Sequence, residues 1–132
     1  MIVTVFRRRL REGKTFADFL EAWQAEKGFG VPTRVFNAQR LDDEREILTF
    51  GFVDADVAAL AVTASAVARQ EAVRHGRIDE VIESTELRAF YELRCEYELS
   101  STPRLITPGS AESLLGSFGD LPQPSVDPPS RP

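Results

Sequence analysis

The sequence predicts an α+β sandwich with the element order β-α-β-β-α-β, a four-stranded antiparallel sheet carrying two helices on one face. Three observations predict it. Apolar residues fall at every second position from Leu87 to Leu99 (Leu87, Ala89, Tyr91, Leu93, Cys95, Tyr97, Leu99), the alternation of a long, half-buried strand. Two stretches carry apolar residues at helical spacing. The remaining regular segments are short, β-branched or aromatic, and bounded by charged or glycine-containing turns.

Ile2 to Leu10 (IVTVFRRRL) opens as a β-branched run and reads as the first strand, turned by Arg11 to Lys14. Thr15 then caps a helix, with Asp18 three residues later completing a capping box at the positive end of the helix dipole. Phe16, Phe19, Leu20 and Trp23 form its apolar stripe, and the helix is expected to end near Gly28. Pro32 excludes continuation.

Arg34 to Leu41 (RVFNAQRL) and Glu46 to Val53 (EILTFGFV) read as a hairpin around the charged turn Asp42-Asp43-Glu44-Arg45. Asp54 or Asp56 caps a second helix through about His75, ended by Gly76. Its expected inner stripe is small: Val57, Leu60, Ala61, Ala64, Val67 and Ala68. Arg77 to Ser84 reads ambiguously, as a short helical turn using Ile78, Val81 and Ile82 before the last strand.

Residues 1–99 are thus expected to form the domain and residues 100–132 a Pro/Ser-rich, largely disordered tail. That tail holds seven of the eight prolines and seven serines. Within it, Ser110 to Phe118 carries Ala111, Leu114, Leu115 and Phe118 at helical spacing, marginal as an isolated helix.

Composition narrows the function classes. A formal net charge of −5 argues against nucleic acid or anionic membrane as a partner. No apolar run approaches the length of a membrane span, and the N-terminus reads as a strand rather than a signal peptide, so a cytoplasmic protein is expected. Arginine outnumbers lysine fourteen to two, which suggests a GC-rich bacterial genome. Cys95 is the only cysteine, expected to be a buried thiol on the final strand. With one cysteine and one histidine, no metal site of the usual kind and no cofactor is expected. No nucleophile elbow, P-loop or dinucleotide fingerprint occurs.

A sheet covered by helices on one side should show water its second face. Here Leu48, Phe50 and Phe52 oppose Ile47, Thr49 and Val53, and Val3 and Val5 oppose Ile2 and Phe6. Apolar residues on both faces predict a partner subunit, a second copy of this chain, over the second one.

With this element order the subunit is ferredoxin-like. IVTVFRRRL followed by TFADFLEAW, the hairpin ending EILTFGFV and the last strand ELRAFYELRCEYEL together resemble the dimeric α/β-barrel superfamily, and within it the antibiotic-biosynthesis-monooxygenase-like proteins. The resemblance covers residues 1–99. It implies a homodimer whose two sheets face each other, with a small hydrophobic or aromatic ligand between sheet and helices of each subunit. Cofactor-independent monooxygenases of that superfamily hold an aromatic substrate with asparagine, tryptophan and tyrosine groups, and the substrate's own anion reduces dioxygen.

On that reading Asn37 and His75 are the candidate catalytic residues and Trp23 and Tyr91 the candidate substrate-binding ones. Asn37 shares a strand face with Gln39 and would orient the substrate. His75, the only histidine, would serve as a base, or as the iron ligand that haem-degrading relatives carry on this helix. Its bland alternative is a solvated histidine at a helix C-terminus, as that of Trp23 is ordinary core. Tyr91 and Tyr97 are expected as buried phenols needing hydrogen-bond partners, and Arg8 and Arg34 as side chains able to hold an anion.

Two other classes stay open. One is a non-catalytic metabolite-binding or accessory dimer. The other is an RNA-recognition-like module, since Phe50-Gly51-Phe52-Val53 with Phe6 on the first strand is similar to that module's base-stacking set, although the domain is acidic and Leu48 stands where a basic residue belongs.

Overall fold

A computed structural model describes residues 1–113. They fall into two compact units, Met1–Leu93 and the part that starts at Arg94. The first unit contains β1 (Ile2–Leu10), α1 (Phe16–Trp23), β2 (Thr33–Arg40), β3 (Asp43–Val53), α2 (Val57–Asp79) and β4 (Ile82–Glu92). The four strands form one antiparallel sheet in the order β2-β3-β1-β4. This α+β arrangement, with the first and third strands central, is compatible with a ferredoxin-like fold.

Local chemistry explains the elements. The Thr15 hydroxyl accepts from the Asp18 amide at 3.2 Å while the Asp18 carboxylate accepts from the Thr15 amide at 2.8 Å, the reciprocal capping box that starts α1. The helix ends at Trp23, five residues before the expected Gly28. Its last turn has no basic residue of its own; Arg74 and Arg77 of α2 reach across to the carbonyls of Ala22, Trp23 and Gln24. The orphan carbonyls are therefore satisfied from a neighbouring helix.

Asp56, one of the two expected caps, starts α2 by accepting from the Ala59 amide at 2.7 Å. The helix does not stop at Gly76 but continues to Asp79, and its last turn inserts Ile78 into the core. That insertion fixes the helix's rotation. Counting back from Ile78 by turns brings Arg74, Glu71, Val67, Thr63 and Leu60 to the inner side, all buried or half-buried. Val57, Ala61, Ala64 and Ala68, expected inside, are exposed.

The strand expected to run from Leu87 to Leu99 is divided. Ile2 pairs with Glu92, and the Leu93 amide donates to the Met1 carbonyl, so β1 offers no partner further on. The chain leaves the sheet there. The alternation continues instead in the second unit, where β5 (Glu96–Glu98) pairs antiparallel with β6 (Arg104–Ile106), inside the segment expected as tail. Cys95 lies in the connector and is exposed, not buried on a strand. Arg104 pairs with Glu112 at 2.7 Å, and residues 110–113 form a turn and bends. The rest of the Ser110–Phe118 stretch lies outside the described residues.

Strand register sorts the sheet into two faces. Ile2, Thr4, Phe6, Arg8 and Leu10 face the helices together with Ile47, Thr49, Gly51 and Val53. Val3 and Val5 lie on the other face with Leu48, Phe50 and Phe52. There Phe36 stacks on Phe50 at 5.2 Å and meets Phe52 edge-on at 6.0 Å. Phe36 and Leu48 stay 36% and 38% exposed among the described residues, while Val3, Val5, Phe50 and Phe52 are half-buried.

Candidate functional site

The hydrophobic core occupies one end of the space between sheet and helices. Leu10, Phe19, Ala22, Ile47, Ile78 and Ile82 form it, with Phe16, Trp23 and Val81 packed at its margin. All come from α1, the last turn of α2 and the ends of the strands beneath them. Toward the other end the packing thins. From Val57 to Gln70, α2 buries no residue; below it Thr4, Phe6, Val35 and Asn37 are half-buried, while Ile2, Thr49, Gly51 and Val53 are buried. The layer between this part of the sheet and the inner side of α2 is the candidate cleft. On the same sheet side Gly51 keeps the floor low, because a Cβ there would meet Thr4 Oγ1 at 2.8 Å.

Where core gives way to cleft, the buried residues turn polar. Arg8 is 3% exposed, the most buried charged side chain described. Its guanidinium lies 4.3 Å from the centre of the Phe6 ring and 5.9 Å from that of Phe19, held by cation–π attraction. Its Nη1 donates to Thr49 Oγ1 at 3.4 Å, and that hydroxyl donates to Asn37 Oδ1 at 2.7 Å. Phe6 also meets the ring of His75 at 5.8 Å. A continuous chain of contacts thus runs from Asn37 on β2, through Thr49, Arg8 and Phe6, to His75 on α2.

Above it, Glu71 and Arg74 form a two-point ion pair, 2.9 Å from Nε to Oε2 and 2.5 Å from Nη2 to Oε1. Arg74 also lies 4.4 Å from the centre of the Trp23 indole. His75 Nε2 is 3.7 Å from the same Glu71 oxygen. Burial, reinforced by the charges of Arg74 and Arg8, pushes the His75 pKa below its usual value, so the imidazole is neutral at pH 7. Burial also pushes the Arg8 guanidinium down to about 10, with Arg74 adding to the shift and Asp79 opposing it.

Two of the four residues singled out from sequence, Asn37 and His75, are joined by this chain of contacts. His75 is half-buried against Phe6, not solvated at a helix end. Trp23 stands at the core margin, tied to the cluster through Arg74. Tyr91 is elsewhere: it pairs with Val3 on the open face of the sheet, 51% exposed. Neither it nor Tyr97, 58% exposed, is a buried phenol. Leu87 and Ala89 share the Tyr91 face, so the alternation was real but aimed away from the helices.

The register also separates Phe6 from Phe50 and Phe52, so the base-stacking set weighed from sequence is not assembled on one face. His75 Nε2 lies 3.7 Å from the carboxylate of Glu71, which is itself paired with Arg74. Among the described residues no group of three or more His, Cys, Asp or Glu side chains could hold a metal ion. No described helix is long and apolar enough to cross a membrane.

Sequence reasoning passed over Thr49, Glu71, Arg74 and Arg88. Each reads as an ordinary polar residue in an amphipathic pattern; only register and helix rotation bring Thr49, Glu71 and Arg74 inward, while Arg88 stays exposed. Arg88 pairs with Phe6 across the strands and places its guanidinium 5.4 Å from that ring.

A separate groove of about 510 Å³ runs along α1 and the end of α2, lined by Lys14, Asp18, Glu21, Arg77 and Glu80 among others. It includes no residue of the chain from Asn37 to His75. Its walls are solvated charges of both signs, which water already satisfies. The desolvated cluster around Arg8 is the better chemical candidate.

No protein-family model, curated protein or solved structure matches the chain.

Proposed function

We propose that this chain forms a homodimer in which each subunit binds a small, mostly hydrophobic molecule in the cleft between its sheet and α2. One observation carries the reading: the buried core cluster gathers at one end of the sheet–helix layer, while α2 extends four turns beyond it without burying a side chain. A helix that roofs a space without filling it leaves apolar surface for a ligand to cover. Phe6, Val35, Leu60 and Val67 supply that surface, and Asn37 and His75 supply polar groups at its inner end.

The homodimer rests on the open face. Val3, Val5, Phe36, Leu48, Phe50 and Phe52 form a contiguous apolar patch of the kind that marks an interface. A second copy presents the same patch, and two-fold pairing of sheets buries both.

Turnover is a second reading, favoured by the neutral His75 beside the cleft. As in the monooxygenases the sequence resembles, His75 would take a proton from a bound, readily oxidised substrate. The resulting carbanion would bond to dioxygen and, once protonated, give a hydroperoxide; loss of a second proton from the same carbon as the O–O bond breaks would leave a carbonyl in the product and release the other oxygen atom as water. Asn37 Nδ2 would hold the substrate oxygen, since Oδ1 already accepts from Thr49.

Native mass spectrometry of the full chain, purified from its natural host, tests the binding reading and the dimer together. A dimer carrying two copies of a small-molecule mass supports both. A monomer removes the role given to the open face, and a protein that retains no ligand and takes up none from an extract of its host removes the role given to the cleft.

A further inference from the structure

Arg8 is an anomaly of charge. Arg7, Arg9, Arg40, Arg45 and Arg74, all more exposed than Arg8, each pair with a carboxylate at 3.6 Å or closer. Arg8 does not: among the described residues, no carboxylate lies within ion-pairing distance of it. Its one hydrogen bond is to the neutral Thr49 hydroxyl, at the long limit of such bonds. Burying an unpaired guanidinium is expensive, and aromatic rings offset only part of that cost.

Among the described residues no buried side-chain nitrogen is both sealed from solvent and unpartnered. The Arg8 nitrogens that Thr49 does not engage therefore keep some access to solvent, in a residue that is 3% exposed. Around them the unbalanced charge is positive. Arg74 is neutralised by Glu71, His75 is neutral, Asp79 acts only at a distance, and Arg88 adds a second, exposed positive charge across Phe6.

We propose that the Arg8 guanidinium anchors the carboxylate of the small apolar molecule that occupies the cleft, a proposal that rests on the binding reading above. One buried positive charge without a partner calls for one negative charge. A carboxylate matches the guanidinium fork in geometry and in charge. A phosphate dianion would leave an excess negative charge in a site whose other arginine is already committed to Glu71. Arg88, at the exposed side of Phe6, draws the anion toward the cleft. Phe6 then lies beside both the anchor and the ligand's apolar body, and the Thr49–Asn37 hydrogen bond holds the hydroxyl that positions Arg8.

The test is isothermal titration calorimetry of the full chain with phenylacetate and with its neutral isostere phenylacetamide. The wild-type protein is expected to bind phenylacetate at least about ten-fold more tightly, the worth of one charge-assisted pair. In Arg8→Met, and in Arg8→Gln as a second variant with a polar isostere, that ratio falls to about one. Equal affinities in the wild type overturn the anchor while leaving the cleft in place. A ratio that survives in both variants also overturns it. Binding of neither probe overturns the anchor and counts against the cleft as well.

Discussion

Arg74 lies over the indole of Trp23 at 4.4 Å from its centre and donates to the carbonyl of the same residue at 3.2 Å. One side chain thus closes the end of α1, packs the only tryptophan and neutralises Glu71. Because Glu71 is mostly buried, removing its partner leaves a carboxylate that water reaches poorly. Arg74→Met is expected to destabilise the protein by about 2–4 kcal/mol in urea unfolding followed by circular dichroism. Tryptophan emission in the folded variant should also shift to the red as the indole loses its cover.

Arg8→Met is expected to do the opposite. It replaces an unpaired buried charge with an apolar side chain of similar length among Phe6, Phe19 and Thr49. Stability in the absence of ligand should not fall, and should rise by up to about 2 kcal/mol. Two buried arginines, one paired and one not, would then respond to the same substitution with opposite signs. A loss of several kcal/mol in Arg8→Met would mean that the guanidinium serves the fold itself.

The architecture and part of the site were legible in the sequence, for physical reasons that also mark the limit. Short-range signals read correctly: the Thr15–Asp18 box, the cap at Asp56 and the apolar pattern of IVTVFRRRL all depend on neighbours in sequence. Long-range facts did not. The rotation of α2 depends on Ile78 reaching a core built from distant strands, so its inner side was misassigned to alanines. The end of β4 is set by where β1 begins, which alternation in residues 87–99 cannot reveal. Arg8 sits in a run of three arginines, and only strand parity makes it the inward one. Its neighbours Arg7 and Arg9 go to the other face and to carboxylates.

The depressed His75 pKa gives a pH dependence whose sign can be worked out. Burial, Arg74 and Arg8 hold the folded imidazole neutral against the pull of Glu71. As pH falls through the unfolded value near 6.5, the unfolded chain takes up a proton that the folded chain refuses, so stability declines. The decline stops once the pH is below the folded pKa. Glu71 acts in a lower window. Burial raises its pKa, the Arg74 hydrogen bonds and charge outweigh that effect, and the net depression costs stability only as pH falls below about 4.5. Unfolding midpoints measured between pH 7.5 and pH 5 should therefore fall in the wild type and stay flatter in His75→Gln.

The open sheet face makes a prediction of its own. Phe50 stacks on Phe36 and meets Phe52 edge-on at the middle of that face. Phe50→Glu buries a charge in the proposed interface while leaving the helix side of the sheet untouched. Light scattering after size exclusion should show a wild-type dimer and a folded monomer for the variant. A wild type that is already monomeric would leave the apolar patch without its proposed partner.

The most direct test of the account is an amide and arginine-side-chain NMR correlation spectrum of the labelled chain, recorded as phenylacetate is added. The account predicts that the Arg8 Nε–H signal moves first and furthest, with the amides of Phe6, Asn37, Thr49 and His75. Shifts confined to the groove beside Lys14 and Arg77, or to Phe36, Phe50 and Phe52, with the Arg8 signal unmoved, would contradict it.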